Sequence, residues 1–143
     1  MNETALFLDN QGQLTHAINH LQRALTATVR VLGEDHPDTL TSRNNLAYGY
    51  KSVGDLARAV PLYEQTLADR VRVLGENHPQ TLISRNNLAD AYRAAGDLDR
   101  AIELFERTLS DMVQLLGEDH PLTGTVQNNL ALAVAERDGV EPG

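Results

Sequence analysis

The sequence predicts an all-α fold, a right-handed α-solenoid of about seven antiparallel helices. Three observations carry that expectation. A 42-residue segment starting at Gly33 recurs without gaps at Gly75, with about 25 of the 42 positions identical. A third copy starts at Gly117 and stops after one helix. Within each copy, apolar residues return at three- and four-residue steps, the period of a helix. A single helical hairpin cannot bury its apolar face, so neighbouring copies must stack and share a core.

The elements follow in chain order. Sliding back one period aligns Gly12, Ala17, Leu25 and Leu32 with Gly54, Ala59, Leu67 and Leu74, and Asn2 with Asn44. The chain is thus expected to start inside a repeat, as a piece of a longer protein. Its first helix would be cut short at Gly12, and its second would run from about Gln13 to Leu32. The next unit opens at Pro37, a residue suited to the first helical position because its missing N–H is not needed there. Leu40, Leu46, Ala47, Tyr50 and Val53 then recur at helical spacing. Gly54-Asp55 closes that helix and caps the next, Gly supplying the left-handed turn and Asp the capping oxygen. The partner helix carries Ala59, Val60, Tyr63, Leu67, Val71 and Leu74, with Pro61 inside it. Pro79, Gly96-Asp97 and Pro121 repeat the punctuation. The expected organisation is one repeat domain over residues 1–138, comprising a partial repeat 1–32, repeats 33–74 and 75–116, and a half repeat 117–138 that caps the stack. Residues 139–143 form a tail.

Composition narrows the function. The net charge of −8 disfavours nucleic acid, which is gripped through clustered Lys and Arg. It equally disfavours an anionic membrane surface. No stretch approaches the roughly 18 apolar residues of a membrane span, and no signal peptide opens the chain, so a cytoplasmic location is expected. Cysteine is absent, which excludes disulfides and thiolate metal sites. Aromatics make up only 4%, so the core must be built from small and aliphatic side chains. Lys51 is the only lysine among twelve basic residues, a bias that points to a GC-rich bacterial source.

Leu46, Ala47, Tyr50, Gly54, Ala59 and Tyr63 match the large and small packing positions of the tetratricopeptide signature, as do Leu88, Ala89, Tyr92, Gly96, Ala101 and Phe105. With its 42-residue period, G-E-[DN]-H-P, N-N-L-A and L-[YF]-E-x-T-L, the chain resembles the kinesin light chain type of tetratricopeptide repeat. The resemblance spans nearly the whole chain. It implies a scaffold that binds a protein or peptide ligand in a concave groove, and similar repeats occur in bacterial signalling proteins.

Nothing in the sequence requires catalysis. There is no phosphate-binding G-x-x-x-x-G-K-[ST], no G-x-S-x-G and no cysteine nucleophile, so the chain is read as a non-enzyme without a cofactor. His36, His78 and His120 recur 42 residues apart. Repeat-equivalent positions lie at least a helix-packing distance of ~8–10 Å apart, whereas zinc holds each ligand at ~2.0–2.1 Å. They read instead as turn residues fixing helix starts through local hydrogen bonds. His16 and His20, four residues apart on one helix, lack a third ligand. The acidic residues beside the turns, such as Glu34-Asp35, suit helix N-termini, where the dipole favours negative charge.

The candidate site is the groove face of the first helix in each repeat. It comprises Thr41, Asn44, Tyr48 and Lys51, then Ile83, Asn86, Asp90 and Arg93, then Asn128 and Leu132 flanked by Thr125 and Ala135. A side-chain amide offers both a donor and an acceptor, so a row of Asn could clamp a peptide backbone. The resemblance agrees, since kinesin light chains use groove Asn on cargo peptides. Asn45, Asn87 and Asn129 are expected to serve packing instead. Lys51 with Arg93, and Arg43 with Arg85, form a candidate basic stripe for an acidic ligand; the alternative is that their stems cover apolar surface. A second function class is a structural module stacking end to end, in which the truncated first repeat exposes apolar surface and a second copy docks there as a homo-oligomer.

Overall fold

The computed structural model describes residues 3–139, with side chains from Gly12 onward. Among these residues the chain forms six helices and no strand: α1 (Glu3–Leu32), α2 (Pro37–Ser52), α3 (Leu56–Leu74), α4 (Pro79–Ala94), α5 (Leu98–Leu116) and α6 (Pro121–Asp138). Two compact units divide at Leu62/Tyr63, within α3.

The three repeat openings share one device. His36, His78 and His120 each sit at the N-cap in extended backbone, and Nδ1 accepts the amide of Asp38, Gln80 or Leu122 at 3.0–3.1 Å. Each imidazole thereby satisfies one of the four amides that a helix start leaves without an intrahelical partner. A second device was not anticipated from the sequence. Thr39, Thr81 and Thr123 are fully buried, and their hydroxyls donate to the carbonyls of Gly33, Gly75 and Gly117 at 2.7, 2.8 and 2.9 Å. The hydroxyl ties the turn behind a helix end to the first turn of the next helix. Its signal was the Thr six residues after each turn glycine.

Gly54 and Gly96 adopt φ of 81° and 87°, as their turns require. Asp55 and Asp97 then accept the amides of Arg58 and Arg100 at 3.3 and 3.4 Å, so the expected Gly-Asp hairpin is present twice. It is absent at Gly12. The short first helix expected there does not exist as a separate element, and α1 runs through Gly12 as one 30-residue helix. Six helices therefore stand where about seven were expected. The physical difference lies in the next residue. Gln13 replaces the Asp of the later copies, and its longer side chain lacks the short capping oxygen. Asn2 and its groove role lie outside the described residues.

In the first unit, α1 packs on α2. Gly49 marks their close approach, since a Cβ there would come within 3.0 Å of Leu21 Cδ1. Gln22 Nε2 donates to Tyr50 Oη at 2.6 Å, and Thr28 to Ser42 at 3.3 Å. In the second unit, α5 packs on both α4 and α6. Leu82, Ala89, Ala101, Ile102, Phe105, Met112, Val126 and Ala133 form its buried core. Fully buried alanines let the backbones approach, which is why few aromatics suffice.

Candidate groove faces on the first helices of the repeats

On α2, Thr41, Asn44, Tyr48 and Lys51 follow steps of three, four and three, which places them on one helical face. Thr41 and Tyr48 are exposed, and Asn44 and Lys51 are half-buried. Tyr48 is the prominent feature, 62% exposed. The Lys51 ammonium lies 5.9 Å from its ring centroid, within reach of a cation–π attraction.

The corresponding face of α4 carries Ile83, Asn86, Asp90 and Arg93, all half-buried. Here the structure ties the candidate residues to α6. Asn129 Nδ2 donates to Asn86 Oδ1 at 3.1 Å. Two turns further along both helices, Arg93 Nη1 donates to Glu136 Oε1 at 2.9 Å, while Arg93 Nε donates to Asp90 Oδ1 at 2.9 Å. Burial pulls the Arg93 guanidinium down from its ordinary value, and the bonds from Asp90 and Glu136 more than offset it, leaving the charged form favoured. Asn128 is exposed and Leu132 half-buried on α6. The expected division of labour between neighbouring Asn residues is therefore too simple here. Asn129, expected to serve packing, bonds the side chain of Asn86, the residue assigned to ligand, and Asn45, expected to serve packing too, is exposed. A peptide N–H approaching Asn86 meets an acceptor already engaged.

Arg43 and Arg85 do not belong to an exposed basic stripe. Both are buried, at 4% exposure. Arg85 forms an ion pair with Asp111 on α5 and donates to the Glu76 carbonyl at 2.9 Å. A guanidinium with several donors in a fixed fork can hold a turn and a helix together at once. Arg70, also buried, reaches Ser84 Oγ at 2.7 Å, and burial lowers its pKa.

A cleft recurs beside the repeats that the sequence reading did not identify. In the first unit Leu46, Tyr50, Arg58, Pro61 and Leu62 line it; in the second, Leu88, Tyr92, Arg100, Glu103 and Leu104 do so at the same five register positions. Arg58 covers the Tyr50 ring at 5.7 Å and Arg100 covers Tyr92 at 5.5 Å. The Tyr92 hydroxyl donates to Glu64 at 2.8 Å. Burial first, then that bond, raises the phenol's pKa. The recurring R-A-[VI]-x-L after each Gly-Asp was its signal in the sequence.

These repeated helical hairpins, with their small-residue core and their capping turns, define a helical-repeat scaffold. The family profile of the tetratricopeptide repeat matches residues 2–70, 50–112 and 92–139, so the chain belongs to the tetratricopeptide repeat family. Among solved structures it is similar to the kinesin light chain nearly identical TPR-like repeats of Podospora anserina, at 32% identity over 96% of this chain, with a TM-score of 0.81. A single-substitution form of that protein matches equally, at a TM-score of 0.81. BtubC (BKLC) from P. vanneervenii is similar at 28% identity over 95% of this chain, with a TM-score of 0.78. The chain spans 64% of the length of the Podospora structures and 54% of BtubC. No curated protein sequence matches it. Among the described residues no helix is long and apolar enough to cross a membrane.

Proposed function

We propose that the chain is a protein-interaction scaffold that holds a peptide or an extended segment of a partner protein against the Thr41–Asn44–Tyr48–Lys51 face of α2. The observation that carries this reading is Tyr48. A large aromatic ring 62% exposed contributes little to the core, and its cost in solvent is recovered when a partner covers it. Asn44 and Thr41 place hydrogen-bonding groups beside it, and the Lys51 ammonium above the ring adds one positive charge. The family supports a binding role, since the repeats build surface without catalytic machinery. The second unit offers a separate contact face through Ile83, Asp90, Asn128 and Leu132. An acidic ligand is not required, because Arg43 and Arg85 are buried and Arg93 is held by two carboxylates.

The test is selection of binders from a displayed random peptide library, followed by affinity measurement on single-residue variants. Tyr48→Ala is expected to weaken selected peptides roughly tenfold or more, the loss typical of an aromatic hot spot. Its melting temperature should stay close to that of the parent. Peptides that bind Tyr48→Ala and Asn44→Ala as tightly as the parent would place the site elsewhere.

A further inference from the structure

The cleft of the second unit combines an apolar floor with a ladder of charge. Leu88 of α4 is buried at its base, and Leu67 of α3 and Leu104 of α5 are half-buried along its sides. Its volume is about 240 Å³. That is below the roughly 300–1,000 Å³ of small-molecule sites, so it suits one or two side chains of a partner rather than a cofactor. Arg100, Glu103 and Arg107 also line it, all exposed and all on α5. Steps of three and four residues put them on one helical face. At roughly 1.5 Å per residue the two arginines lie about 10 Å apart along the helix axis, with the glutamate between them.

The fold does not use up these charges. The side chains of Glu103 and Arg107 make no ion pair or hydrogen bond among the described residues. A pair across one turn of an exposed helix face is weak, so a partner's charges displace it readily. Arg100 stacks over the Tyr92 ring at 5.5 Å and lies 3.6 Å from Asp97, yet its side chain remains 65% exposed. Nor does the repeat demand the ladder. One period earlier, Pro61 stands in the place of Glu103 and Gln65 in that of Arg107. The packing residues Leu46, Tyr50 and Leu62 meanwhile match Leu88, Tyr92 and Leu104. The leucines belong to the shared frame, and the ladder is particular to this repeat.

We infer that this cleft docks an amphipathic helix of a partner protein, one that carries acid, base and acid at three- and four-residue steps and a leucine or isoleucine beside the base. Charge complementarity selects the occupant. A helix laid along α5 has the same rise per residue, so its acids meet Arg100 and Arg107 while its base meets Glu103. Its aliphatic side chain, next to the base, enters between Leu67 and Leu104 over Leu88, as a helix anchors in an apolar groove. The apolar contact supplies most of the affinity. The charges fix the register and exclude helices of the wrong order, as rim charges do at interfaces. A wholly acidic helix is repelled at Glu103, and a basic one at both arginines. The site uses no residue of the α2 face and stands or falls apart from it.

Selection from a displayed library of helical peptides, randomised at the three charge positions and the aliphatic one, tests the site. The bait is the full chain carrying Tyr48→Ala, which removes the aromatic ring of the α2 face. Enriched peptides are expected to hold acid, base and acid in that order. Arg107→Glu, added to the bait, should weaken an enriched peptide about tenfold or more. The melting temperature should not change, since that side chain is exposed and unpaired. Replacing one or the other of the peptide's acids by lysine, according to its direction along α5, should restore affinity for Arg107→Glu and lose it for the bait without that change. Gln127→Glu, an added charge at an exposed position of α6, should leave affinity as it was. The inference is overturned if no peptide is enriched, or if enriched peptides lack the acid–base–acid order. Equal binding to Arg107→Glu overturns it too, as does a charge swap that fails to restore affinity.

Discussion

α1 and α5 hold the same place in the repeat, two periods apart, and their surroundings differ. α5 follows a closed Gly-Asp turn, packs on α4 and α6, and buries Ala101, Phe105 and Thr108 completely. α1 runs through Gly12-Gln13 without a turn, packs on α2, and leaves Ala17 and Ala24 exposed. The junction to the next helix differs as well. α1 meets α2 through polar pairs, Gln22–Tyr50 and Thr28–Ser42. At the positions of Thr28 and Ser42 the second unit first has the Arg70–Ser84 hydrogen bond and then Met112 and Val126, both buried in its core. One repeat geometry thus accepts a hydroxyl pair, a guanidinium–hydroxyl pair or an apolar pair. The backbone period sets which positions meet, and the side chains decide how much burial each meeting yields.

The sharpest way to break this comparison is to truncate the same register position in both helices. Phe105→Ala should cost about 3–5 kcal/mol, the loss of a fully buried aromatic and the cavity it leaves. Leu21→Ala, half-buried at the same place in α1, should cost about 1 kcal/mol. Urea denaturation measures both. Equal losses would mean that α1 is as well covered as α5.

Arg85→Ala comes next, at about 2 kcal/mol, because it removes a buried guanidinium and leaves Asp111 and the Glu76 carbonyl without it in a partly buried setting. The same variant tests the correction to the basic stripe: it should lower the melting temperature while leaving selected peptides bound. The junction comparison is sharpened by Arg70→Met with Ser84→Val, which imports the residues of the last junction. The pair should stay within about 1 kcal/mol of the parent, since an apolar pair of fitting shape replaces a buried polar one at little net cost. Arg70→Met alone should be the less stable of the two.

A smaller effect, about 1 kcal/mol, is expected from His78→Ala, which removes the capping acceptor, with Asn at that position restoring most of it. The smallest is a pH effect at Tyr92. Burial and the bond to Glu64 raise its pKa, so the folded state holds the phenolic proton more tightly than the unfolded chain does. Stability from this source is whole below about pH 10, the ordinary tyrosine value, and is lost as pH rises through the higher folded value. Melting curves recorded from about pH 9 upward should show Tyr92→Phe losing less stability than the parent.

Read from the sequence alone, the 42-residue period, the helix starts at Pro37, Pro79 and Pro121, the Gly-Asp hairpins and the histidine caps all agree with the structure. They were legible because each depends on residues near one another in the chain. A proline, a turn glycine or a capping side chain acts on the backbone within a few bonds. The residues of the α2 and α4 faces were legible in the same way, as steps of three and four.

Only the tertiary structure decided how those faces are occupied. Asn86 is engaged by Asn129, 43 residues away, and Arg93 by Glu136. Arg85, which repeat spacing grouped with groove cations, turns inward to Asp111. Gly12 matched Gly54 by register, yet its helix continues, because one residue, Gln13, lacks the cap. Helical spacing assigns a residue to a face. Whether that face meets a carboxylate, an amide, a neighbouring helix or solvent depends on long-range packing, and that is a property of the folded chain.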